Sequence, residues 1–195
     1  MNLSAAQTIK IIEGCMANER QAQESLYKLC YADMLRVCIR YLKTDELAKE
    51  ALNMGFLKVF QHINAYQANK GEPGAWIRTI MVRTCIDLRR KELKFAADST
   101  TEKEIADQVS IEPEIMEKLY AEDLLSLIRK LPDATQMVFN LYVIDGYSHK
   151  EISEQLAITE STSRWHLSEG KKQLRSILEP PKAKNHPTEN QNQRK

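Results

Sequence analysis

Arg164, Ser168, Lys171, Lys172 and Arg175 stand one to four residues apart near the end of the chain. On a helix that spacing gathers them on one side, opposite Ser163, Leu167, Gly170, Leu174 and Ile177. A cationic face backed by a packed face suits a DNA major groove lined with phosphates. Glu169 is the one acid among them. Trp165 and His166 stand at the start of this helix. Trp165 either touches a thymine methyl or sugar, or packs on a neighbouring helix. A second constellation is Trp76, Arg83 and Arg90, spaced seven apart. An aromatic ring with guanidinium groups on one face is the chemistry of single-strand binding, where the ring stacks a base and the cations hold phosphates. The polar loop ahead of it, with Asn69 and Lys70, offers a pocket for an extruded base. Composition also allows Trp76 a place in the core.

Other chemistries lack their residues. Cys15, Cys30, Cys38 and Cys85 form no C-x-x-C pair and read as free thiols on apolar helix faces. His62, His149, His166 and His186 are scattered. No Gly-rich phosphate loop, metal-ligand spacing or nucleophile motif is present, so neither an enzyme nor a cofactor is expected.

The elements that position these residues read as helices throughout, and the fold class is all-α. The expected helices are Ser4–Glu13, Glu19–Leu42, one from a Thr44 or Asp45 cap to about Asn64, and Ala75–Lys94. These make a first domain, residues 1–94. Trp76 to Lys94 holds six bases and two acids, whereas Asp98 to Asp123 holds nine acids and two bases. The reversal marks 95–112 as a flexible acidic linker. A second domain spans 113–178, with helices at Glu114–Lys130, Asp133–Ile144, Ser148–Ala157 and Glu160–Leu178. Pro180-Pro181 stops the last helix, and 179–195 is expected to be a disordered tail. Ser148 and Glu151 form a capping-box pattern, and Thr159 caps the next helix after a short turn. That is a helix-turn-helix. The 195 residues carry 28 Lys and Arg against 27 Asp and Glu. No apolar run is long enough to span a membrane. The N-terminus lacks a basic region followed by an apolar core, so a cytoplasmic protein without membrane insertion is expected.

Taken in order, Gly55-Phe56-Leu57-Lys58-Val59-Phe60, Ala75-Trp76-Ile77-Arg78-Thr79-Ile80, Ile86-Asp87-Leu88-Arg89-Arg90, Leu131-Pro132, Asp145-Gly146-Tyr147-Ser148 with Glu151-Ile152, and Thr162-Ser163-Arg164 resemble the extracytoplasmic-function group of bacterial sigma factors. The resemblance covers most of the chain. It implies a promoter-recognition subunit of RNA polymerase. The first domain would bind the beta-prime clamp and open the minus-ten element. The second would dock on the beta flap and read the minus-thirty-five element. It also implies a monomer when free, and an anti-sigma factor as partner.

Carried over by position, the clamp-binding residues are Glu50, Asn53, Met54 and Phe56. Met54 stands where a carboxylate is common, so clamp binding is expected to lean on Phe56 and its apolar neighbours. The base-capture loop would be Tyr66 to Ala75, with Tyr66, Asn69, Lys70, Trp76, Arg83 and Arg90 on the minus-ten strand. Arg83 replaces a family Asn. Minus-thirty-five contacts would come from Ser148, Ser161, Thr162, Arg164, Trp165, His166, Ser168, Lys171 and Lys172. Two rival readings are a dimeric helix-turn-helix regulator of duplex DNA and an all-helical adaptor. The regulator predicts self-association and operator binding without polymerase.

Overall fold

A computed structural model describes residues 5–98 and 124–178. In it α1 is Ala5–Met16, α2 Arg20–Tyr41, α3 Asp45–Gln61 and α4 Pro73–Asp98. Thr44, not Asp45, caps α3, its hydroxyl accepting the Leu47 N–H at 3.3 Å. Helices α2, α3 and α4 pack on one another, and α1 lies on α2. Leu26, Val37, Leu52, Val59, Ile77 and Met81 fill the space between them. Gly55 lets α3 approach α4: a Cβ there would lie 2.2 Å from the Met81 sulfur. Cys15, Cys38 and Cys85 are buried thiols and Cys30 is half-buried. Burial pushes the Cys30 thiol up to about 11.

Three helix ends differ from expectation, the first being α1, which runs to Met16, past Glu13. Helix α3 ends at Gln61, and a 3-10 turn follows at Ile63–Ala65. Helix α4 runs to Asp98, past the expected end at Lys94. The linker expected from Phe95 therefore begins as helix, because a change of charge does not break one. The remainder of that linker, and the expected tail, lie outside the described residues.

The second unit is described from a helical segment, α5, at residues 124–129, which a turn at Lys130 follows. Helix α6, Asp133–Phe139, passes into a π-helical turn, Asn140–Ile144, closed by the Asp145 N–H on Asn140 O at 3.0 Å. Gly146, at φ +76°, then reverses the chain. Helices α7, His149–Leu156, and α8, Glu160–Leu178, complete the unit, with α6 and α7 both packed on α8.

The two units share one apolar core and a polar seam. The Asp145 side chain is 2% exposed. It accepts the Tyr41 hydroxyl at 2.5 Å, Arg40 Nη2 at 3.1 Å, and both Nε (2.8 Å) and Nη2 of Arg78. Gln136 Nε2 and Asn140 Nδ2 each donate to Arg40 O at 2.7 Å, serving a carbonyl at the end of α2. Lys43 Nζ donates to Leu131 O at 2.9 Å, Arg89 Nη2 meets Asp133 at 2.6 Å, and Arg90 Nη2 donates to Gln155 O at 3.0 Å.

Candidate nucleic-acid interface

The helix-turn-helix is built by its caps. Ser148 Oγ accepts the Glu151 N–H at 3.3 Å while Glu151 Oε2 accepts the Ser148 N–H at 2.8 Å, a closed capping box at the start of α7. Ala157 ends α7 in the left-handed conformation, φ 54° and ψ 45°. Thr159 Oγ1 then accepts the Thr162 N–H at 3.1 Å and opens α8. Its hydroxyl also meets those of Ser161 and Thr162, at 2.8 and 2.9 Å.

Helix α8 buries Ser163, Leu167, Gly170 and Leu174 against α6 and α7. Ile177 was expected on that side but is exposed. The opposite face leaves Arg164, Ser168, Lys171, Lys172 and Arg175 in solvent. The last four line an open depression of about 460 Å³ with Ser176. Arg164 pairs along the helix with Glu160 at 2.8 Å. Trp165 is 58% exposed and edges against His166, so it does not pack on a neighbouring helix. His166 turns inward, its Nδ1 3.0 Å from Thr135 Oγ1. His149 lies 2.9 Å from Ser163 Oγ and stacks on Tyr142. Burial holds both imidazoles below their ordinary value, with Arg164 adding to the effect on His149.

In the first unit, Tyr66, Gln67, Lys70, Gly71, Glu72, Ala75, Trp76 and Thr79 line a cavity of about 330 Å³. The Tyr66 hydroxyl donates to Gly71 O at 3.0 Å and closes the loop. Trp76 is half-buried, and Asn69 is exposed on the same loop. Arg83 and Arg90 share its face but not its cavity. Each seven-residue step carries the next side chain about 10 Å along the axis. Arg83 lines a separate depression with Asp87 and Gln155, and Arg90 is engaged at the seam.

On α3, Glu50 and Asn53 are exposed, as is Met54. Asn53 Oδ1 accepts the Tyr27 hydroxyl at 3.4 Å. Phe56 corrects an expectation. It is 2% exposed and packs on Tyr27 with ring centroids 4.6 Å apart, so it offers no surface to a partner. The exposed apolar neighbours are Leu57, which the expectation placed beside Phe56, and Tyr31, which sequence reasoning missed. Tyr31 stands one turn after Tyr27 on α2, with ring centroids 5.5 Å apart, and no local motif marks it.

Among the described residues, no cluster of three or more His, Cys, Asp or Glu could hold a metal ion. No helix among them is long and apolar enough to cross a membrane.

Residues 26–94 match the family description Sigma-70 region 2, and residues 121–174 match Sigma-70, region 4. The chain is similar to the ECF RNA polymerase sigma factor SigM of Bacillus subtilis (strain 168), 23% identical over 154 residues, covering 79% of this chain and 93% of SigM. It is 25% identical over 166 residues to SigW of the same organism, covering 80% and 84%. It is 26% identical over 164 residues to SigE of Mycolicibacterium smegmatis, covering 82% of this chain and 59% of that longer protein. In fold it is similar to the sigma factor RpoE of Bartonella quintana, solved with the anti-sigma factor NepR. That likeness has a TM-score of 0.56 at 16% identity and covers 80% of this chain and 95% of the other.

Proposed function

The chain belongs to the sigma-70 family, as a sigma factor of the extracytoplasmic-function group, and from that premise we propose how its two units divide the work on a promoter. Helix α8 enters the major groove of the minus-thirty-five element. Arg164, Lys171 and Lys172 hold phosphates or base edges there, and Trp165 reads an apolar edge. The cavity between Tyr66 and Trp76 receives a base flipped from the minus-ten strand. The observation that carries this reading is the solvent-facing row Arg164, Ser168, Lys171, Lys172 and Arg175, on a helix whose reverse is buried.

The mechanism is differential binding without covalent chemistry; the polymerase forms the bonds. Each base contact discriminates by about 1–3 kcal/mol. Capturing a base offsets an unstacking cost of a few kcal/mol. The outer side of α3, with Glu50, Asn53, Met54 and Leu57, docks on the polymerase clamp, and the second unit on the beta flap. The protein works where the polymerase works, in the cytoplasm. A regulatory anti-sigma partner fits this reading, as it does for RpoE of Bartonella quintana. The family assignment favours this function over a dimeric regulator.

The test is transcription by core polymerase from the promoter upstream of this protein's own gene. Specific RNA that depends on the added chain is expected. Failure both to bind core and to support transcription, together with polymerase-independent operator binding, would overturn the reading.

A further inference from the structure

His149 stands where the two helices of the helix-turn-helix meet. It is the first residue of α7, and its Nδ1 lies 2.9 Å from Oγ of Ser163 on α8. Ser163 directly precedes Arg164, the first cation of the exposed row. The imidazole also stacks on Tyr142, with ring centroids 4.5 Å apart and planes 22° from parallel. We propose that His149 is a proton-linked phosphate contact, which takes up a proton as α8 settles on DNA. The proposal rests on the sigma reading and adds to it a ligand, the backbone phosphate beside α7, and a dependence on pH.

One ring nitrogen is left for such a ligand. Nδ1 is taken by Ser163, whereas Nε2 has no hydrogen-bond partner among the described residues. The Ser163 hydroxyl donates to a bare Nδ1 or accepts from a protonated one, so the pair survives either charge state. The ring is half-buried, and Ser163 and Tyr142 hold it from two different elements. Tyr142 suits a charged ring as well as a neutral one, since an aromatic face attracts a cation through its quadrupole.

The surrounding charges make protonation follow DNA binding. Those that act on the ring all come from α8: Arg164 and Lys171 oppose a proton, and Glu160 favours one. The π-helical turn contributes the Tyr142 ring and no charge. Burial is the larger cause that holds the free imidazole below its ordinary value, and Arg164 comes next. Glu160 is already paired with Arg164 at 2.8 Å. Phosphates that pair with Arg164 and Lys171 cancel the two repulsions, and a phosphate within reach of Nε2 adds an attraction. Both changes raise the affinity of His149 for a proton. By linkage, a site that holds a proton more tightly on DNA holds DNA more tightly when protons are abundant. His166, the other imidazole of the helix-turn-helix, turns inward to Thr135 and takes no part.

The test measures promoter binding by holoenzyme, assembled from core polymerase and the full chain, at pH 8 and pH 6 over a range of salt. Circular dichroism confirms the fold at each pH. His149→Gln cannot take up the proton and serves as the baseline for every other titrating group. Against it, wild type is expected to gain about three- to tenfold in affinity from pH 8 to pH 6, as a rise of about one pKa unit in the complex requires. Its salt slope should steepen by up to about one unit at pH 6, the mark of one more cation on the phosphates. His149→Arg, charged throughout, should bind at pH 8 as wild type does at pH 6 and lose the extra pH response; it carries the comparison if His149→Gln does not fold. His166→Gln should keep the response. Equal pH dependence of wild type and the His149 variants, or a salt slope that ignores pH, reduces His149 to a joint between helices and overturns the proposal. If the chain neither binds core nor supports transcription but binds duplex DNA alone, the sigma reading falls, and the same comparison on bare duplex judges His149. Binding to no DNA overturns both.

Discussion

The Trp76 ring leans on Tyr66, with centroids 5.7 Å apart and planes tilted by 56°. The sequence left Trp76 two places, core or stacking platform, and the side chain occupies both. Part of it packs beneath the loop, and part lines the cavity that the Tyr66 hydroxyl helps to close.

Trp76→Ala is expected to lower promoter opening by about 10- to 100-fold, since stacking on one aromatic is worth about 1–3 kcal/mol per base. Trp76→Phe should keep most of the activity. Permanganate reactivity of unpaired thymines reads opening apart from polymerase binding. Equal opening by the Ala variant would reduce Trp76 to a packing residue.

Lys171→Ala and Lys172→Ala should weaken promoter binding alike on all sequences. Each should reduce the steepness of the salt dependence by about one unit. Trp165→Ala should instead relax the preference at one position of the minus-thirty-five element. Binding measured from low to high salt on a panel of promoters separates the two effects. An unchanged salt slope would mean that the lysines face solvent in the complex.

Ala157 closes α7 with a left-handed backbone, φ 54°, which costs an L-residue about 1–2 kcal/mol. Ala157→Gly removes that strain and gives part of the gain back as unfolded-chain entropy. A net stabilisation of about 0.5–1 kcal/mol is expected in chemical denaturation. A loss of stability would show that the Ala157 methyl packs usefully in the turn.

The helix-turn-helix should weaken as pH falls. His149 and His166 have folded pKa values below the ordinary 6.5, burial being the main cause. The unfolded chain therefore binds their protons first. Their contribution is complete above the unfolded value and is lost as pH falls through it towards the folded one. Glu151, lowered by the Ser148 N–H and then by its hydroxyl, acts the same way in a lower window. It contributes fully above the ordinary carboxylate value and is lost as pH falls through the folded one. The denaturation midpoint should be lower at pH 5 than at pH 7.5, and His149→Gln should flatten that slope. A midpoint that rises on acidification would contradict the assignment.

Much of the second unit was readable from local chemistry. Ser148 with Glu151, and Thr159 ahead of α8, announce their caps because a cap depends on residues three apart. The buried side of α8 follows from spacing as far as Leu174 and not at Ile177, which is exposed. Phe56 shows the opposite failure. It lies four residues after Leu52 and three before Val59, both inward, so helical geometry already placed it in the core. The family resemblance placed it on the clamp-binding surface instead. The π-helical turn at Asn140–Ile144 leaves no periodic trace, since one extra residue merely shifts the phase. The seam around Asp145 was out of reach for another reason. Its partners stand far apart in the chain, and no local pattern records which distant donor a carboxylate meets.

Helix α4 has a consequence for chain design. It is 26 residues long and carries the Trp76 cavity near one end, with Arg89 and Arg90, which bond the second unit, towards the other. At 1.5 Å per residue it is a rod of about 39 Å, and each residue turns it by about 100°. Adding one residue between Trp76 and Arg89 therefore swings the cavity to another side of the rod relative to the seam, whereas adding seven nearly restores its heading. Length changes between the two should obey the helical period.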